Sequence, residues 1–322
     1  MSDLGARFVT GADSRYRDML RGPRLALSPR KWWGAAPGLG LLMAAAAAAG
    51  CGPSRWMALA IPLAVLGLIA ADAAVARVVY EELRGNYFVG FGAGWRFVWW
   101  RKRTLLMVPM ACALFMLVGA GLVALGLAPA WWGAGLLGAI TASVFGVGAL
   151  ALAVASLGFV FALFLGPSIL ATTNEEALEV LGQCLTTTTR RPLAALGVIL
   201  ASGVAMAGVA AVDVALLAGI ATGATALVGA EPALWLEGVN PRALDWSALP
   251  PDWRPLMAGV GVGVLAHVQA TGAAVRTLGY LALRRGIDGE RLLDRDDGLP
   301  GAPGLELPPG SEVDHAGESA GA

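Results

Sequence analysis

Long runs of apolar residues, almost free of charged side chains, constrain this chain more than any other feature. Residues 105–127 and 135–165 contain no charged side chain, and residues 193–228 contain only Asp213. A helix of about 20 apolar residues spans the hydrocarbon core of a bilayer. Only 14% of the 322 residues are charged, whereas a soluble domain has about 25%. The sequence therefore predicts a helical membrane protein.

Six runs are predicted to cross the membrane. They lie near residues 34–50, 56–76, 105–127, 135–165, 193–228 and 256–283. The fifth run is too long for one straight crossing, so it must tilt, kink near Gly219–Gly223 or extend beyond the bilayer. In the fourth run, Gly138, Ala142 and Gly146 form a stripe of small residues that is predicted to be a helix contact. We expect an all-α fold, a six-span transmembrane helix bundle covering residues 34–283.

The first run has a second interpretation, as a cleaved signal peptide. The segment AAGC at residues 48–51 resembles a lipobox without its usual leucine. A tight turn joins this run to the next apolar run, however, and this continuity favours a span.

A charged and aromatic stretch at residues 77–103 separates the second span from the third. A helix is predicted at its start and a break at Gly85-Asn86, after which aromatic residues alternate with glycines and arginines. The glycines are not followed by Lys-Ser/Thr, so a nucleotide-binding loop is not predicted. Aromatic rings and basic side chains favour the headgroup layer. We therefore expect an in-plane amphipathic element here.

A second amphipathic stretch is predicted at residues 174–189, after a stop at Gly166-Pro167. Thr173 and Glu176 are predicted to form the capping box of this helix. Its apolar face is predicted to include Ala177, Leu178, Leu181, Cys184 and Leu185. This element is likewise expected to lie in the plane of the membrane.

The positions of the basic residues orient the bundle. If the N-terminus is inside, 20 of the 23 Lys and Arg residues are inside, and only Arg55, Arg242 and Arg254 are outside. Short cytoplasmic loops carry the excess of basic residues in membrane proteins. Both termini are therefore expected to be cytoplasmic: a basic segment at residues 1–33, and a charged stretch followed by a disordered tail at residues 284–322.

The composition argues against several classes of function. The formal net charge is zero, so no overall field favours a nucleic-acid partner. Three cysteines without a CxxC pair, and only two histidines, argue against a disulfide framework or a zinc site. We expect no cofactor and no metal.

A few ionisable side chains within the apolar runs are the candidate functional residues. His267 lies in the middle of the sixth run with Gln269 nearby, and Asp213 is a conceivable partner. Asp213 is about 30 Å along the fifth run and His267 about 16 Å into the sixth, so they meet only if the fifth helix is broken or shifted. The alternative for His267 is a structural hydrogen bond to its own helix. Asp72 and Arg77 can pair, or can serve as charges that snorkel to the interface.

An intramembrane serine protease is the enzymatic alternative. Ala201-Ser202-Gly203 and Ala266-His267 are similar to the Ser and His motifs of rhomboids, and six spans would fit. However, the glycine before the serine is missing, the serine lies on the fifth span rather than the fourth, and no His/Asn pair occurs in the second span. A small residue at a helix contact is the simpler role for Ser202. We expect no enzymatic activity and no catalytic residue.

Four segments resemble a group of multi-pass membrane proteins common in planctomycetes and related bacteria. They are LALSPRKWWGAAPGLGLL at 25–42, AAVARVVYEELRGNYFVGFGAGWRF at 73–97, GPSILATTNEEALEVLGQCLTTTTRRPL at 166–193 and YLALRRGIDGERL at 280–292. In the third segment, LTTTT replaces an aromatic Ser-Tyr pattern. The architecture of the group is similar to the membrane domain found beside glycerophosphodiester phosphodiesterases, although no phosphodiesterase metal motif occurs here. The resemblance implies a bacterial inner-membrane location and no particular activity.

These features together predict a non-enzymatic subunit in the lipid bilayer that binds partners or organises a complex. The partner is either another membrane protein or a second copy of the chain. A transporter or lipid-handling protein is the alternative. A water-accessible polar cavity around Asp213 and His267 would favour transport, whereas a dry interior packed by Ala and Gly would favour assembly.

Overall fold

The computed structural model describes residues 16–51, 55–127, 136–228, 254–289 and 292–294. The predicted turn at 52–54, the loop at 229–253 and the terminal segments 1–15 and 295–322 lie outside these residues. Every regular element within the described ranges is a helix, which confirms the all-α prediction.

In the described ranges, ten α-helices follow a 3-10 turn at Tyr16–Arg21. They are α1 (Gly22–Ala26), α2 (Pro29–Cys51), α3 (Arg55–Leu83), α4 (Phe91–Trp100), α5 (Lys102–Leu127), α6 (Leu136–Phe164), α7 (Gly166–Thr173), α8 (Ala177–Arg190), α9 (Pro192–Val228) and α10 (Arg254–Asp288). A last 3-10 turn is at Leu292–Asp294.

Within the described residues, four helices are long and apolar enough to cross a membrane. They are Ala60–Leu83 in α3, Lys102–Leu127 (α5), Gly138–Phe164 in α6 and Pro192–Ile220 in α9. The protein is therefore membrane-embedded. Helix α10 is also long, but His267, Gln269 and Arg276 lower its hydropathy.

The break predicted at Gly85-Asn86 is confirmed. Helix α3 continues to Leu83 without interruption, several residues beyond the expected end of the second span. Gly85 then adopts φ +93°, a left-handed conformation that glycine tolerates without a steric penalty. The chain can therefore leave α3 sharply and enter α4.

The predicted capping box was wrong by three residues. Thr173 belongs to α7, where its hydroxyl donates to the carbonyl of Ile169 at 2.9 Å. Asn174 ends α7 in the left-handed region (φ 54°). Glu176 and Glu179 form the capping box of α8 instead, with the Glu176 amide donating to the Glu179 carboxylate at 3.2 Å. The sequence pattern fitted both positions, and the end of α7 selects the later one.

The face of α8 that is buried in the protein coincides only in part with the predicted apolar face. Leu178 is 82% exposed, whereas Val180, Cys184, Thr187 and Thr188 are buried. Burial raises the pKa of Cys184 to about 12, and the neighbouring Cys112 adds to this effect. The thiol of Cys184 is therefore protonated and unreactive at neutral pH.

Helices α2, α3, α9 and α10 form one packed group, called here the four-helix unit. Gly38 of α2 lies so close to the backbone of Gly67 in α3 that no Cβ would fit. Helix α10 packs against the other three helices of the unit, and its residues 266–283 are almost all buried. This unit contains most of the buried core.

Helices α5 and α6 form a second group, called here the hairpin. They pack closely on each other, since a Cβ on Gly126 would lie 2.6 Å from the Phe145 backbone and one on Gly119 would lie 2.9 Å from Leu152. The predicted stripe does not form the α5–α6 contact, because Gly146 faces open space and Gly148 makes that contact instead. Outside the pair, the hairpin packs mainly against α7 and α8.

Helices α4, α7 and α8 make up a short-helix layer that joins the two groups. They lie where α3, α6 and α10 end and where α5 and α9 begin. The layer is held to the four-helix unit by Gly94 of α4, where a Cβ would lie 2.6 Å from the Ala74 carbonyl oxygen. The Trp95 indole N–H also donates to the carbonyl of Gly34 at 2.9 Å.

Candidate functional site

The structure brings His267 and Asp213 together between α10 and α9. The His267 Nδ1 atom lies 2.9 Å from the Asp213 Oδ2 atom. An ionised carboxylate can only accept hydrogen bonds, so we assign the proton to Nδ1. His267 is only 7% exposed, and Asp213 is partly buried. It is one of the polar side-chain contacts that the structure describes between helices of the four-helix unit.

Of the two conditions predicted for this contact, a broken or a shifted fifth helix, the structure shows the second. Helix α9 is one helix of 37 residues, which makes it about 55 Å long against a hydrocarbon core of about 30 Å. Because part of α9 therefore extends beyond the bilayer, its first residue is a poor origin for depth. Measured from the opposite ends, Asp213 lies about 22 Å before Val228 and His267 about 20 Å after Arg254. The two residues therefore lie at similar depths, although α9 has no break.

The other side of the His267 ring is enclosed by an aromatic residue. The rings of Trp32 and His267 are 4.9 Å apart between centroids, at an angle of 40°. Trp32 is fixed in turn, because its indole N–H donates to the carbonyl of Ala26 at 2.7 Å. The Nε2 atom of His267 is buried and has no hydrogen-bond partner among the described residues. With Nδ1 carrying the proton, this nitrogen has a free lone pair that can accept a proton or a donor group.

Asp72, Gln269 and Arg276 form another polar contact of the four-helix unit, between α3 and α10. The Arg276 Nη2 atom donates to one oxygen of Asp72 at 2.6 Å, and the Gln269 Nε2 atom donates to the other at 2.5 Å. All three side chains are buried. Each carboxylate oxygen therefore has a partner, as a charge inside a membrane requires. The contact fixes α3 against α10.

The contacts of Arg77 differ from the pairing with Asp72 that was predicted for it. It forms an ion pair with Glu81 on its own helix and donates to the carbonyl of Ala171 in α7 at 2.9 Å. Its guanidinium also lies 5.3 Å from the Phe97 ring centroid. Asp72, the predicted partner, is paired with Arg276 on another helix. Arg77 thus ties α3 to the short-helix layer.

Sequence reasoning missed three residues of these networks. Arg276 was counted only as a basic residue at the end of the sixth span, although it lies nine residues after His267 on the same helix. Trp32 was quoted only as part of the segment at 25–42 and was not among the candidate residues. Lys31 was counted as a surface charge, but it is fully buried, donates to the carbonyl of Leu25 and pairs with Glu82 at 2.5 Å. For Arg276, the available signal was a basic residue that is flanked by apolar residues within one helix.

The proposed protease residues are not assembled as a dyad. The Ser202 hydroxyl donates to the Ile199 carbonyl of its own helix at 2.7 Å. Ser202 lies 11 residues before Asp213, the partner of His267, or about 16 Å along α9. Among the described residues, no group of three or more His, Cys, Asp or Glu side chains is placed to hold a metal ion.

No protein-family model, no curated protein and no solved structure matches this chain. Its function must therefore be argued from the geometry alone.

Proposed function

We propose that the protein is a six-span subunit of the bacterial inner membrane that organises a complex and has no enzymatic activity. In this proposal α2 and α10 also cross the bilayer, and the short-helix layer and both termini are cytoplasmic. The basic bias of 20 residues to three supports this orientation. Helices α4 and α8 then lie in the plane of the inner interface.

The observation that carries the proposal is the separation of the hairpin from the four-helix unit. Helices α5 and α6 pack on each other and on the short-helix layer, and have their main contacts there. Their remaining faces are apolar and exposed, including Leu114 and Leu117 on α5 and Leu150 on α6. A ligand pocket in a helical bundle forms between packed helices, and the hairpin has few contacts with the four-helix unit. A separate hairpin instead offers two apolar faces to other membrane helices.

Glycines on the free faces of the hairpin suit a helical partner. A Cβ added to Gly121 of α5 or to Gly146 of α6 would meet no atom within 4 Å beyond its own helix. In lipid, helix association depends on close backbone approach at small residues, because lipid tails are as apolar as leucine. The partner in this proposal is another membrane protein or a second copy of this chain.

Photocrosslinking in native membranes tests this proposal. A benzophenone amino acid is placed at Leu117 or Leu150 on the hairpin, and at Leu200 on the exposed face of α9 as a matched control. We expect a protein adduct of discrete mass from the two hairpin positions, with twice the chain mass if the partner is a second copy. Lipid adducts alone at both hairpin positions would overturn the proposal, and a protein adduct from Leu200 alone would place the interface elsewhere.

A transporter is the second candidate, and the free Nε2 atom of His267 favours it. A buried nitrogen that can gain a proton beside a carboxylate is a typical element of proton relays. In sealed vesicles, this candidate predicts proton flux that is lost in His267→Gln and kept in Ser202→Ala. Equal permeability of wild-type vesicles and protein-free vesicles would exclude it.

A further inference from the structure

Helix α4 and the loop before it expose an unusual number of aromatic rings. Phe88 is 92% exposed, Trp99 68% and Trp100 71%, and Phe91 is also exposed. Soluble proteins seldom leave a contiguous group of such rings in water. These four rings define the aromatic surface of α4.

The opposite face of α4 fixes the direction of this surface. Gly94 and Val98 are buried against the four-helix unit, and Trp95 is held by its hydrogen bond to Gly34. Because the approach at Gly94 leaves no room for rotation about the helix axis, Trp99 and Trp100 must point away from the protein. The exposure of the rings is thus a consequence of the packing.

The start of α5 places the aromatic surface at the membrane boundary. Helix α5, which is long and apolar enough to cross a membrane, begins at Lys102, two residues after Trp100. Leu106 and Met107 are already exposed apolar side chains of that helix. Indole rings have their preferred position in the headgroup layer, between water and hydrocarbon.

Every charged residue in the stretch of sequence that carries the aromatic surface, residues 83–174, is basic. The chain has no Asp or Glu between Glu82 and Glu175. Arg96 and Arg103 are exposed beside the rings, and the Lys102 ammonium lies 3.9 Å from the Trp99 ring centroid. Basic side chains at a membrane surface attract anionic lipids, and aromatic rings do not supply this selectivity.

We propose that the aromatic surface of α4, with Arg96 and Arg103, binds the headgroups of anionic phospholipids. The rings enter the headgroup layer, and the two guanidinium groups donate to lipid phosphates, for which their fork geometry is suited. The proposal rests on the bilayer crossing of α5 and does not require the partner-binding role of the hairpin. An acidic segment of another protein is the competing occupant.

Depth-dependent fluorescence quenching tests the proposal. Ala93, exposed on α4, is replaced by cysteine in a Cys51→Ala chain and labelled with an environment-sensitive dye. Buried Cys112 and Cys184 should not react. The protein is reconstituted in phosphatidylcholine vesicles with about 30% phosphatidylglycerol. In two separate samples, a nitroxide quencher is attached near the headgroup of one lipid or of the other, and the mole fraction of labelled lipid is the same in both.

We expect labelled phosphatidylglycerol to quench about twofold more than labelled phosphatidylcholine, since each basic residue near the surface favours anionic lipid. The preference should disappear in Arg96→Gln/Arg103→Gln, and in about 1 M salt, where the screening length is only about 3 Å. It should persist in the matched control Arg190→Gln/Arg191→Gln, which removes two exposed arginines at the end of α8.

Two results would overturn the proposal. Equal quenching by the two lipids in the wild-type chain would mean contact without anionic selectivity. Quenching by aqueous iodide but by neither lipid would mean that the surface faces water or a protein partner. A second dye at Leu117→Cys, quenched by nitroxides deep in the acyl chains, reports the crossing of α5 separately.

Discussion

The four-helix unit and the hairpin both have close contacts at glycines, but among the described residues the four-helix unit adds polar side-chain contacts between its helices. In the four-helix unit, side chains far apart in sequence form polar contacts: Asp72 with Arg276 and Gln269, and Asp213 with His267. In the hairpin, contact depends on glycines such as Gly126, which admit the neighbouring backbone. No charged residue lies in the interior of α5 or α6 after Arg103.

This difference shows how register is set in lipid. Apolar side chains give little preference for one helix neighbour over another, because lipid is equally apolar. A buried ion pair specifies one partner and one depth, since any shift leaves an unpaired charge in the membrane. Glycine contacts specify depth only through shape. The four-helix unit should therefore tolerate loss of a polar partner poorly, and the hairpin should be sensitive to added volume.

The largest effect is expected from Arg276→Met. It leaves the Asp72 carboxylate buried without its cation, and breaking such a pair in this way costs about 3–5 kcal/mol. The free energy of unfolding is measured in detergent micelles by steric trapping. The double variant Asp72→Leu/Arg276→Met removes both charges and should recover most of the loss. If the double variant is no more stable than the single one, the ion pair does not stabilise the unit as described.

An intermediate effect is expected from Gly126→Leu in the hairpin. The new side chain would begin 2.6 Å from the Phe145 backbone, and overpacking of this kind typically costs about 1–3 kcal/mol. Gly121→Leu on the same helix enters open space and should change the unfolding free energy little. Equal losses from both variants would show that glycine flexibility, and not the α5–α6 contact, matters.

A smaller effect is expected from His267→Leu, because Asp213 is only partly buried and keeps some access to polar surroundings. An unsatisfied buried polar group costs about 1–3 kcal/mol, and we expect the lower end of that range. Ser202→Ala removes only a bond to its own helix and should be neutral within about 0.5 kcal/mol. Thermal unfolding of both variants in the same detergent decides the order, and a greater loss from Ser202→Ala would contradict it.

Local signals predicted much of the fold. Apolar runs predicted the long helices, Gly85-Asn86 the end of α3, and Gly166-Pro167 the change from α6 to α7. In each case the signal and its structural effect lie within a few residues, so backbone sterics suffice. The capping box shows the limit, because the choice between Thr173 and Glu176 depends on where the preceding helix ends.

The candidate site was harder to predict because its contacts join residues distant in sequence. Asp72 and Arg276 are 204 residues apart, and no local pattern distinguishes that pairing from one between Asp72 and Arg77. His267 and Asp213 could be named as ionisable residues within apolar runs. To predict their contact, one would need the depth of α9 in the membrane, and this depth depends on the packing of α9 against α10.

Cysteine accessibility in intact cells tests most directly the central claim that both units enter the membrane from a cytoplasmic short-helix layer. Asn86, exposed in the loop between α3 and α4, is replaced by cysteine in the Cys51→Ala chain and treated with a membrane-impermeant maleimide. Ser54→Cys, in the predicted outer turn, is the matched control. The account predicts labelling of Ser54→Cys in intact cells, and of Asn86→Cys only after the membrane is opened. Efficient labelling of Asn86→Cys in intact cells would contradict it.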